Sequence, residues 1–151
     1  MARYPTNGLT LAQANGIAAA ALERGRELGL QPLTVVVLDA GGQMKAMQRE
    51  DGSSLLRFDV AQGKAFGALS LGLGGRELAR RSQAMPGFMN ALSDLAGGRA
   101  VPVPGGVLAC GPDGMILGAV GISGDVSAQD EGCAVAGIRA VGLAADTGDP
   151  D

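Results

Sequence analysis

Apolar positions recur along this chain in two alternating periods. Together they predict the element order helix, hairpin, helices, hairpin, helix. Leu11, Ala14, Ala18, Leu22 and Gly25 follow one another at spacings of three or four, the buried face of an amphipathic helix. Thr10, with Gln13 three residues on, forms a capping box at its start, and Gly29 stops it. Leu33 to Leu38 is a β-branched run, Asp39 to Gly42 supplies turn residues, and Met44 to Arg49 returns as the second strand of a hairpin. Asp39 belongs to that turn, bonding backbone N–H groups.

From Ser53 to about Leu71 a second helix carries Ala61, Ala65 and Ala68 on one face with Gly63 and Gly67 nearby. So many small residues allow close approach, either to its own sheet or to another copy of the chain. Gly74 to Gly98 is helical but broken: Arg76 to Gln83 is charged, and Pro86 suits a fresh helix start before Phe88 to Leu95. Val101-Pro102-Val103-Pro104 is extended because each proline restrains its predecessor, and it leads into Gly105-Gly106. Val107 to Cys110, the turn Gly111 to Gly114, and Met115 to Ile122 form a second hairpin. The last helix starts near Ser127 with Asp130 in capping-box position and Ala134, Ile138, Val141 and Ala145 as its stripe. Thr147 to Asp151 is expected to be a frayed tail.

Two hairpins flanked by helices, with no strand–helix–strand alternation, imply an α/β chain of the α+β kind: an antiparallel sheet covered by helices. A length of 151 residues fits one domain spanning 1–151.

Composition narrows the function classes. Apolar residues make up 46% of the chain and charged residues 18%, so it folds, and no apolar run reaches the roughly 18 residues of a membrane span. Met1 to Gly8 lacks the apolar core of a secretory signal, and the cytoplasm is the expected location. Cys110 and Cys133 form no CxxC pair and read as reduced thiols. The net charge is −3 with no basic block, and aromatics are 3%. A nucleic-acid partner is therefore not expected. The 26 glycines are scattered, a usage that suggests close backbone packing.

An ordered set of short motifs resembles the GlcG/HbpS-like, or haem-degrading, family. It comprises Val36 to Gly42, Arg49 to Ser53, Lys64-Ala65, Val103 to Gly106, Gly118 to Gly124, and Gln129 to Glu131. Each motif alone is weak, but their order over about residues 9 to 143 is specific. The resemblance implies a profilin-like sheet flanked by helices and a homo-oligomer. It also implies kinship with haem-binding sensors, with the C-terminal domain of PduO-type proteins, and with proteins encoded among catabolic genes. Family likeness does not transfer a reaction. Some relatives bind haem through histidine, and this chain has none, which argues against histidine-ligated haem. Met, Cys or Tyr would have to serve, and the single Tyr4 sits in the irregular start.

The same lack of histidine removes Ser-His-Asp and Cys-His catalysis and an ordinary zinc site, so no metal is expected. Gly121-Ile122-Ser123-Gly124-Asp125 misses the G-x-S-x-G elbow at its fifth position. Carboxylates, one lysine and backbone amides remain. Lys64, beside the small-residue face, is either a desolvated acid/base or a snorkelling surface lysine. Asp130 and Glu131 either serve as general acid/base or stabilise the helix start. Arg49 is an anion clamp or an ion-pair partner of Asp51 or Asp59. Gly105 and Gly106 offer backbone N–H groups or simply a kink, and Ser123 and Gly124 an anion seat or ordinary capping. Met85, Phe88 and Met89 fill the core or wall an apolar pocket.

The expectation is a binder of a small, anionic organic ligand, extending to a cofactor-free accessory isomerase or lyase of a catabolic pathway. Lys64, Asp130 and Glu131 would be catalytic, and Arg49, Gly105, Gly106, Ser123 and Gly124 ligand-binding. The competing reading is a non-enzymatic haem or corrinoid binder or sensor.

Overall fold

The computed structural model describes residues 1–150. The elements are α1 (Leu11–Glu27), β1 (Thr34–Asp39), β2 (Met44–Arg49), α2 (Arg57–Leu71), α3 (Gly75–Ala84), α4 (Pro86–Leu95), β3 (Gly106–Cys110), β4 (Ile116–Ser123), α5 (Ser127–Ala140) and β5 (Ala144–Asp146). All strand pairs are antiparallel, in the order β2-β1-β4-β3-β5. The two hairpins thus join through β1 and β4 into one open sheet. This is the α+β arrangement the periodicity implies.

Strand alternation divides the core between two faces. Val35, Val37, Val120 and Ile122 meet Ile17, Ala21 and Ile138 of α1 and α5 on one side. Val36, Leu38, Leu108 and Ala119 meet Ala61, Ala65 and Ala68 of α2 on the other. The small residues of α2 therefore face their own sheet. A β-carbon at Gly121 would overlap the Ala61 carbonyl, and one at Gly106 would overlap the Lys64 carbonyl. Glycine in these strands is what lets α2 lie so close.

Several boundaries differ from the sequence reading. The capping box of α1 is present in both directions, Gln13 N–H to Thr10 Oγ1 at 3.1 Å and Thr10 N–H to Gln13 Oε1 at 3.0 Å. Leu11, however, is 56% exposed, because the first helical turn overhangs the core and Ile17 takes its place on the buried stripe. Helix α2 begins at Arg57, not Ser53, since the Ser53 hydroxyl bonds Thr34 Oγ1 at 2.7 Å and holds that segment to the sheet. Asp130 does not cap with Ser127. Its Oδ1 accepts the Asp125 N–H at 3.0 Å, and Val126 is the N-cap.

The last helix ends at Ala140, and Gly142 at φ +79° turns the chain back. Ala145, expected on the helical stripe, lies instead in β5 against Ala109. The expected frayed tail is pinned as far as it is described. Thr147 C=O accepts the Arg76 N–H at 3.0 Å, and Asp149 pairs with Arg76 at 3.1 Å and Arg80 at 2.8 Å. Asp151 lies outside the described residues. Asp39 fills its expected turn role, accepting from Gly41 and Gln43 N–H at 2.9 and 3.0 Å.

Candidate functional site

The residues singled out from the sequence fall into three groups. The first is at the start of β3. Gly106 is the first residue of β3 and pairs with Gly121, so the last residues of β4 run on with no β3 partner beside them. The Lys64 ammonium occupies that gap. It donates to the Ile122 carbonyl at 2.8 Å and to Asp130 Oδ2 at 3.1 Å. Helix α2 on one face of the sheet is thereby tied to α5 on the other.

Gly105, at φ +113°, lies over the lysine, and a β-carbon there would sit 3.0 Å from Lys64 Nζ. Lys64 is 3% exposed and Asp130 0%. Burial raises the Asp130 carboxyl above its ordinary value, outweighing the Asp125 amide and the Lys64 charge, which lower it. The glycine loop before β3 and the end of β4 lie at one end of the sheet. The space between them is filled by the lysine.

The second group is Glu131 with Arg76. Arg76 Nε approaches both carboxylate oxygens at 2.9 and 3.0 Å, and a terminal nitrogen lies 2.8 Å from one of them. Glu131 is 5% exposed, so this forked pair holds α3 to α5. The charged run Arg76 to Gln83 showed an arginine in the sequence, but nothing there named its partner.

The third group lies on the sheet's α2 face at the same strand end, displaced toward β2. Cα pairing sets Arg49 opposite Thr34, and Thr34 opposite Ser123. The three thus share one cross-strand row and one face, with Arg49 and Ser123 about 10 Å apart. Arg57, at the start of α2, donates to Ser123 Oγ at 3.1 Å. The Thr34 and Ser53 hydroxyls bond each other beside this row at 2.7 Å. Arg49 is not paired with Asp51 or Asp59, and neither Arg49 nor Arg57 forms an ion pair among the described residues.

Helix α2 has no side-chain N-cap; its Arg57 N–H donates to the Ser54 carbonyl at 3.1 Å, and Asp59 lies in its first turn. Gly124 does not face this row, because a β-carbon on it would meet the Pro32 carbonyl and Leu33. The structure therefore does not gather Arg49 with Gly105 and Gly106, which lie three strands away. Arg57, Thr34 and Ser53 were missed because their proximity depends on strand register.

A pocket of about 280 Å³ opens between α2 and the α3–α4 pair. Met89 lines it, whereas Met85 and Phe88 are exposed outside it. Among the described residues there is no cluster of three metal-ligating side chains, and no helix is long and apolar enough to cross a membrane.

Comparison with known proteins agrees with the motif order. The family model described as haem degrading protein HbpS-like matches residues 9–139. An uncharacterized 15.0 kDa protein from the dhaT-dhaS intergenic region of Citrobacter freundii is 32% identical over 122 residues, 81% of this chain and 84% of that protein. The corrinoid adenosyltransferase PduO of Citrobacter freundii is 29% identical over 142 residues, 93% of this chain but only 41% of its own length. The crystal structure of a PduOC:heme complex superposes with a TM-score of 0.81 at 27% identity, covering 94% of this chain and 99% of that one. With its fold, motif order and family match in agreement, the chain belongs to the HbpS-like family.

Proposed function

We propose that this protein binds a small organic anion at the row formed by Arg49, Thr34 and Ser123, completed by Arg57 and Ser53. The observation that carries the reading is a pair of arginines that form no ion pair among the described residues, set beside three hydroxyl groups. Guanidinium forks and hydroxyls suit a carboxylate or similar oxyanion. An isomerase or lyase acting on such an anion within a catabolic pathway would draw on Lys64, Asp130 and Glu131 for proton transfer. That chemistry requires Lys64 to leave Asp130 and Ile122.

The test is a thermal-shift series with acetate, malonate and malate, because a ligand that binds only the native state raises the melting temperature. At least one acid should raise it in the native chain and lose the effect in Arg49→Ala and Arg57→Ala. Shifts that persist in both variants would remove this site.

Haem binding is the second reading, favoured by likeness to the PduOC:heme complex. The residues present do not fit a histidine-ligated haem, since the chain has no histidine. Among sulfur donors, Cys133 is fully buried in the core and Met89 faces the α2–α4 pocket. A haem titration with no Soret shift at micromolar protein removes this reading.

The proposal includes a cytoplasmic homo-oligomer. Leu55 and Leu56, 86% and 66% exposed, form an apolar step next to Arg57 that a second copy would cover. Light scattering at the monomer mass would contradict it.

A further inference from the structure

Phe66, Leu71, Leu78, Met89 and Leu92 wall the pocket between α2 and the α3–α4 pair, and Arg99 stands at its side. Its volume of about 280 Å³, open to solvent on one side, is near the lower end of the range for small-molecule pockets. A pocket of this size takes a small organic molecule.

Polar supply inside it is narrow. The Ser70 and Ser93 hydroxyls donate to the Gly67 and Ala100 carbonyls at 3.0 and 3.1 Å. Their protons are thus committed to backbone. Arg99 is held over the Phe66 ring at 4.3 Å, and its Nε donates to the Ala96 carbonyl at 2.8 Å. The guanidinium is therefore fixed in place. Its terminal nitrogens donate to nothing, and it forms no ion pair, among the described residues. A pocket with carbon walls and one positioned cation that forms no ion pair complements an apolar body carrying one negative charge.

We infer that this pocket binds a medium-chain monocarboxylate, its tail against Leu78, Met89 and Leu92 and its carboxylate on Arg99. The site is separate from the Arg49–Arg57 row. Phe66 is nine residues beyond Arg57 on α2, about 13 Å along the helix axis. The two proposals can therefore fail independently.

The test is calorimetric titration of the full chain with octanoate and with octan-1-ol, its uncharged counterpart. Octanoate should bind the native chain more tightly than octan-1-ol. Arg99→Leu, a change at an exposed position, should weaken octanoate about tenfold or more and leave octan-1-ol unchanged, as expected for a lost charged hydrogen bond. Ser70→Phe, which narrows the pocket from the exposed side of α2, should weaken both, with urea midpoints confirming that both variants fold. Arg57→Ala should leave octanoate binding intact. Absence of octanoate binding at millimolar concentration, or binding that Arg99→Leu does not change, overturns the inference. Loss of octanoate binding in Arg57→Ala overturns it too, by assigning the acid to the other site.

Discussion

The Lys64 ammonium reaches past Gly105 and through the sheet to Asp130, 3.1 Å away, joining helices that cover opposite faces. Both groups are almost wholly removed from water, so neither can lose its partner without stranding a buried charge. Lys64→Met and Asp130→Asn should each destabilise the fold by about 3–5 kcal/mol. The double variant should lose much less than the sum of the two. Urea unfolding around the complete double-mutant cycle measures this coupling, and additive losses would show that the pair is not a unit.

Glycine substitutions should separate by location. Gly121→Ala should be severely destabilising, since its β-carbon would overlap the Ala61 backbone carbonyl. Gly105→Ala should cost about 1–3 kcal/mol because its φ of +113° suits glycine. Gly132, within α5, has open space around its β-carbon position, so Gly132→Ala should stabilise by about 0.5–1 kcal/mol. Denaturant midpoints of the three variants rank them directly.

Acid should release the C-terminal strap. The Arg80 hydrogen bond holds the Asp149 carboxyl below its ordinary value of 3.8, and Arg81 and Arg80 hold Glu77 below 4.5. A depressed carboxyl contributes stability that is present above its unfolded value and lost as pH falls through the lower folded value. The strap should thus stay docked at neutral pH and detach below 3.8, with high salt weakening it earlier because these pairs are exposed. Amide hydrogen exchange at Thr147 to Asp149 across this range is the check. Protection unchanged in acid would count against the ion pairs as its fastening.

The two thiols should be poor nucleophiles in the folded protein. Burial pushes Cys133 up to about 11 and also raises Cys110. Only a thiolate reacts efficiently with a disulfide reagent. At pH 8 labelling of Cys133 should follow global unfolding, with Cys110 slow but measurable because it is half-buried. Rapid labelling of Cys133 in the native protein would contradict its place in the core.

Much of the architecture was legible because it is written in local pattern. The Thr10–Gln13 capping box, the Asp39 turn and the alternation of Val35 to Leu38 are set by neighbours within a few residues. Sequence reading erred at Leu11, Ser53, Ala145 and the tail, where a distant contact overrides local preference. Ser53 bonds Thr34 instead of starting a helix, and Gly142 diverts Ala145 into a strand too short to show alternation. The chain's tail is docked by Arg76 and Arg80, whose partners lie about seventy residues away in sequence.

The candidate chemistry divides along the same line. Residue types alone excluded imidazole-based catalysis, since that exclusion needs only a count of histidines. The order of short motifs likewise pointed to the family. Whether Lys64 faces solvent, a ligand or a carboxylate was decided by where β3 begins relative to β4. That gap exists only once two hairpins have paired. The Arg49–Thr34–Ser123 row is a matter of strand register, and the Arg99 pocket of how α3 and α4 fold back on α2. These sites bring together residues far apart in sequence, so their geometry belongs to the packed sheet and helices and to no single segment.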